Sequence, residues 1–191
     1  MRPPQSDELM KRTLPLIATL LLCAACGGAD VGDDARSTPM QSTEAEVAAH
    51  VPSAAERTDI LSVLQAVFDG LAGDPDLITN AMDANIVMRS TDARSGTTVF
   101  GSSTLDGLLQ RVETGEEVMI ERMWDAEVKV AGDLATIWTP YDFYVGSEFS
   151  HCGIDVATLM RRDNGWTITN LDWTRDIPPN CALHPDGPPN R

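Results

Sequence analysis

The chain is short of positive charge. Its 14 Lys and Arg stand against 29 Asp and Glu, a formal net charge of −15 at pH 7. A surface of that sign repels phosphate backbones, so nucleic acid is a poor partner, and it gives no polybasic help at a membrane. No apolar run reaches the about 20 residues that a spanning helix needs. The longest, Leu14 to Ala25, is too short, and no second one follows it. No internal repeat is present. Histidine is scarce and scattered at His50, His151 and His184. With no paired metal-ligand spacing, no metal is expected, and no cofactor. There is also no Ser-His-Asp arrangement and no Gly-rich phosphate loop.

The N-terminal segment carries the strongest pattern. Lys11 and Arg12 precede the short apolar core, which ends in the small residues Ala24 and Ala25 before Cys26. That is the layout of a secretory signal peptide. The end of the run resembles the lipobox of bacterial lipoproteins, whose signal is cut before a cysteine that carries the lipid. The resemblance implies a leader of residues 1–25 and lipidation at Cys26. Because Gly27 is not the inner-membrane retention Asp, it further implies an outer-membrane lipoprotein of the cell envelope, facing the periplasm. Cys23 departs from the pattern, standing where a lipobox usually has Leu, and a plain secretory signal cut without lipidation is the alternative. Asp7 and Glu8 are unfavourable in a positive leading region, which makes Met10 the better start of translation.

Removal of residues 1–25 leaves 11 basic and 27 acidic residues, or −16, on a length that fits one domain. Cys152 and Cys181 then remain. In an oxidising compartment they predict an intramolecular disulfide; the alternative is two buried thiols packing as small apolar residues.

Residues 26–52 are poor in large apolar side chains and read as a disordered tether after the lipidated cysteine. Order is expected over 53–177. Ser53-Ala54-Ala55-Glu56 has the form of a capping box, and Ile60, Leu64, Val67, Phe68 and Leu71 follow at helical spacing. Asp74-Pro75 restarts a short helix with Leu77, Ile78 and Ala81 inward. Ile86–Met88 and Thr97–Phe100 read as strands, and 104–112 as a short helix. Four longer strands are expected at 118–130, 134–145, 149–161 and 166–175, joined by Gly132-Asp133, Gly146-Ser147 and Asp163-Asn164-Gly165. The tail, residues 178–191, is Pro-rich and predicted to be irregular. Helices first and a long antiparallel meander afterwards define an α+β fold.

The segment Phe149-Ser150-His151-Cys152-Gly153-Ile154-Asp155, then Leu159 and Asn164-Gly165-Trp166-Thr167-Ile168, resembles the NTF2-like (SnoaL-like) superfamily. The likeness covers roughly Ala54 to Arg175. It implies a cone: N-terminal helices on a curved antiparallel sheet with an apolar interior. The superfamily hosts isomerases, dehydratases, cyclases, ligand binders and interaction modules that pair through an open sheet face, so the fold leaves the activity open.

Strand alternation supplies site candidates. His151, Gly153, Asp155, Ala157 and Leu159 share one face, and Ile137, Thr139, Tyr141 and Phe143 share another. An interior with His151, Asp155 and Tyr141 would hold a base, an acid and a phenol, the groups of cofactor-free proton transfer. His151 and Asp155 are about 13 Å apart along a strand, so a substrate would lie between them. The structural alternative is that His151 caps a strand end, Asp155 pairs with Arg175 or Arg161, and Tyr141 fills the core with its hydroxyl at the rim. The opposite face of the strand is apolar too, so the pattern alone does not choose; the inward direction is taken for His151 and Asp155. Core packing accounts for most of Trp124, Trp138, Trp166 and Trp173, with Trp173 assigned to a ligand pocket. The expected function is binding of a small apolar ligand or a partner protein, a second copy of the chain included. The alternative is an acid–base enzyme of isomerase, dehydratase or cyclase type.

Overall fold

The computed structural model describes residues 51–189. The leader, Cys26 and almost all of the tether lie outside the described residues. Helix α1 (Ala54–Leu71) starts at an extended Ser53 whose hydroxyl accepts the Glu56 N–H at 3.2 Å. Its apolar face, from Ile60 to Leu71, is buried. Two contacts pin its first turn: the Arg57 guanidinium donates to the Ala126 carbonyl at 2.7 Å, and Glu56 pairs with Arg161. Helix α2 (Pro75–Ala81) is capped by Asp74, with Pro at its first position. A Cβ on Gly70 would lie 2.6 Å from Ile78 Cγ1, so glycine there lets α2 close against α1.

Strand β1 (Met82–Asp92) follows directly, then β2 (Val99–Ser103) and helix α3 (Leu105–Thr114), capped by the Thr104 hydroxyl on the Gly107 N–H. Next come β3 (Met119–Met123), β4 (Glu127–Ala131), β5 (Leu134–Val145), β6 (Glu148–Arg162) and β7 (Gly165–Arg175). The seven strands form one sheet in the order β2-β1-β7-β6-β5-β3, with β4 also on β5.

Two expectations are corrected. The sheet is mixed, because β7 returns from the meander to lie parallel to β1 while every other pair is antiparallel. The single strand expected at 118–130 is broken. Met123 pairs with Tyr141 and Glu127 with Trp138, so one extra residue enters at the break. Asp125 absorbs it with a left-handed φ of 47°, the geometry of a bulge that kinks a strand.

The Pro-rich tail has no helix or strand among the described residues, yet it is fastened. Cys152 and Cys181 form the expected disulfide. The His184 N–H donates to Asp142 Oδ2 at 3.1 Å, and the His184 ring meets Trp124 edge-on at 5.3 Å. Asp142, fully buried, also accepts two bonds from Arg122 at 2.9 and 2.6 Å. The tail therefore covers the outer face of the sheet at Cys152, and α1–α3 cover the inner one. Of the four tryptophans Trp166 is buried, Trp124 and Trp173 are half-buried, and Trp138 is 54% exposed.

Candidate functional site

Residues directly opposed on neighbouring strands share a face of the sheet. Glu121 on β3 faces Phe143 on β5, which faces His151 on β6. Thr139 faces Asp155, and Asp155 faces Trp173 on β7, opposite Ser90 on β1. Both rows lie on the concave side. Of these residues Glu121, Phe143, His151, Asp155 and Trp173 wall a cavity of about 510 Å³, which the end of α1 (Val67, Leu71) and α3 also line. The exposed Ser102, Thr104 and Arg111 stand at its mouth. That volume falls in the range of small-molecule sites, about 300–1,000 Å³.

Asp155 lies on the cavity wall, 2% exposed, and its Oδ2 has no protein hydrogen-bond partner. Burial pushes its carboxyl up to about 8, partly offset by a hydrogen bond with Glu121. Burial first, and then the charge of Asp155, raise the Glu121 carboxyl well above its ordinary value. Two carboxyls in one enclosed space cannot both ionise cheaply, so the pair retains a proton at neutral pH.

His151 is 6% exposed and also lines the cavity. Its Nδ1 lies 2.9 Å from the Ser150 hydroxyl, and its ring stacks on Phe143 at 4.8 Å. Burial, then the guanidiniums of Arg175 and Arg94, push the imidazole down to about 3. It is neutral across the physiological range.

Tyr141 is fully buried behind the wall rather than on it. Its hydroxyl donates to the Thr174 carbonyl at 2.7 Å, and burial followed by the neighbouring carboxyls pushes the phenol far above its ordinary value. The position depends on Gly153, which Tyr141 opposes: a Cβ there would sit 2.0 Å from the Thr174 carbonyl oxygen. The missing side chain lets β7 press in and offers Tyr141 an acceptor. Trp173, half-buried, is on the cavity wall with Arg175 over its ring at 5.4 Å.

Glu121, Arg94, Arg111 and Arg175 line the same cavity; the first three were not singled out from sequence, and Arg175 was named only as a partner for Asp155. A signal existed for Glu121, an acid alternating with Met119 and Met123 on one face of its strand. Arg94 sits in the turn after β1 and Arg111 near the end of α3, where no periodicity points. Asp92 holds Arg94 in a two-bond pair at 2.9 and 2.6 Å and stands 4.0 Å from Arg175. Neither Arg175 nor Arg161 pairs with Asp155: Arg161 bonds Glu56 and Asp133 instead.

No protein-family model matches the sequence, and no curated protein is significantly similar to it. Solved structures are similar in fold. An NTF2-like protein of Cytophaga hutchinsonii is 12% identical, over 62% of this chain and 97% of its own, with a TM-score of 0.51. An NTF2-like protein of Novosphingobium aromaticivorans is 12% identical over 63% and 82%, TM-score 0.52. A proposed aromatic ring hydroxylase of the same organism is 13% identical over 65% and 92%, TM-score 0.50. The domain thus has the NTF2-like fold, an α+β cone. Its neighbours are compatible with ligand binding or with catalysis.

Proposed function

We propose that the protein is a lipid-anchored envelope protein whose NTF2-like domain binds a small molecule with an apolar body in the concave cavity. One observation carries the binding reading: a cavity of about 510 Å³, part apolar, whose wall includes the buried, proton-holding pair of Asp155 and Glu121. A few polar groups on the wall of a part-apolar cavity are the arrangement of a small-molecule site, where they orient the ligand. Leu71, Met88, Leu108 and Trp173 supply the apolar surface. The anchoring reading rests on the leader and Ala24-Ala25-Cys26.

Native mass spectrometry of the protein purified from its own host tests the first part. A retained small molecule, lost when Trp173 is changed to Ala, is the supporting result. Bare protein from the host, together with no binding of any apolar probe in vitro, overturns it. Cys26→Ser tests the second part: it should move the protein out of the membrane fraction or block processing, and unchanged membrane recovery with normal maturation rejects the anchor.

A second reading is favoured by the carboxyl pair. A protonated Asp155–Glu121 pair in an enclosed site is a general acid, and its conjugate form a base, at the pH where the pair titrates. In this reading the protein is a cofactor-free enzyme of isomerase, dehydratase or cyclase type. Neutral His151 would orient or polarise the substrate from the next row of the sheet. Proton exchange at an activated carbon of a bound compound, lost in Asp155→Asn, separates this from simple binding.

A further inference from the structure

We propose that the ligand of this cavity is an organic anion, an apolar molecule bearing a carboxylate that Arg111 and Arg175 receive. The inference rests on the binding reading above and names its chemical class. Between positions 51 and 189 the sequence has nine basic residues and 22 acidic ones. Three of those nine, Arg94, Arg111 and Arg175, line this one cavity. A strongly acidic domain that gathers a third of its cations around one concavity builds a local field opposite to its net charge.

The partners of the three are unequal. Arg94 is satisfied by Asp92 through two bonds. Arg175 shares that single carboxylate only at 4.0 Å, and its buried Nε has no hydrogen-bond partner. The Arg111 guanidinium has the Met119 sulfur at 3.5 Å and, among the described residues, no carboxylate within ion-pair distance. Two guanidiniums therefore face the cavity with capacity to spare, in the planar fork geometry that matches a carboxylate.

The other titratable groups on the wall do not cancel this field. His151 is neutral, and the buried Asp155–Glu121 pair retains a proton, so it carries less charge than two free carboxylates. The retained proton gives the pair an O–H to donate to a ligand oxygen and lowers the charge that would repel it. Arg111 belongs to α3 at the mouth, while Asp155, Glu121 and Trp173 lie on the sheet. A carboxylate near Arg111 and Arg175 then places its apolar body against Leu108, Met88 and Trp173.

The test uses matched probes: 2-naphthoate, 2-naphthamide and 2-naphthalenemethanol, with the corresponding decanoic series as a second set. Binding to the full domain is measured by calorimetry at pH 6.5. The acid should bind at least about tenfold more tightly than its amide or alcohol, the size of one added charge-assisted bond. Arg111→Gln should remove most of that advantage by lowering the acid's affinity more than the amide's, and Arg111→Lys should restore part of it. Equal or tighter binding of the amides and alcohols in both series overturns the anion proposal while the binding reading stands. An acid advantage that survives Arg111→Gln and Arg175→Gln, in variants that keep their thermal transition, also overturns it. Failure of every probe in both series counts against both.

Discussion

Asp155→Asn isolates what the buried carboxyl costs the fold. Asparagine keeps the shape and removes the charge. In the folded protein Asp155 holds its proton up to about pH 8, against 3.8 for the free side chain, because burial disfavours the ionised form. The unfolded chain releases that proton from about pH 4 upward, so the folded state binds more protons between the two values. Stability therefore falls as pH rises through this window. A shift of about four units corresponds to a ceiling near 6 kcal/mol at about 1.4 kcal/mol per unit. Water entry and local relaxation reduce it, and about 2–4 kcal/mol is expected. The variant and the parent should thus differ least at pH 4.5, near the bottom of that window. The variant should become progressively more stable by pH 8, with a higher thermal midpoint by roughly 4 °C per kcal/mol. Urea unfolding at five pH values gives the profile. Parallel profiles from pH 4.5 to 8 would refute the argument that burial shifts this group. The divergence, paired with weaker probe binding, marks a residue kept for its chemistry at the expense of stability.

Other outcomes follow from the same geometry. Gly153→Ala puts a Cβ 2.0 Å from the Thr174 carbonyl oxygen; the strand must move, and a loss of about 3 kcal/mol or outright misfolding is expected in urea titration. Tyr141→Phe leaves the Thr174 carbonyl without its bond, which should cost about 1–3 kcal/mol of stability; naphthoate affinity should change little, since the hydroxyl does not line the cavity. Cys181→Ser opens a link between residues 29 apart; on the chain-entropy model the loss is about 3–4 kcal/mol, read as a lower urea midpoint that reducing agent reproduces in the parent.

Much of the fold was legible where local chemistry decides it. Ser53, Asp74 and Thr104 each accept a backbone N–H at the start of a helix. The limits of β5 follow from Gly132 and Gly146, both with left-handed φ at its flanks. The break at Asp125 was not legible, because a non-glycine residue takes the left-handed conformation there and interrupts an apolar run that otherwise reads as continuous. Neither was the start of β1, which follows α2 without a turn. At the site, the face of β6 could not be chosen by pattern, since both faces are apolar. The reason is now physical: Cys152, on the outer face, is covered by the tail through Cys181, as His151 and Asp155 are covered by the helices. Glu121 becomes a neighbour of Asp155 only across β5, a pairing that depends on register and on the extra residue in the β3–β4 bulge.

Helix α1 carries the chain from one end of the domain to the other. Its first turn is held at Ala126 and Arg161, and its last turn builds the cavity wall at Leu71, about 20 Å away at 1.5 Å per residue. A linkage made on the N-terminal side of the domain therefore grips it at the end away from the mouth. On a biosensor chip or an affinity resin coupled there, Arg111 and the opening beside it stay free to meet diffusing molecules. Coupling through α3 would put the support across the opening, so the choice of attachment point decides whether such a surface can report binding at all.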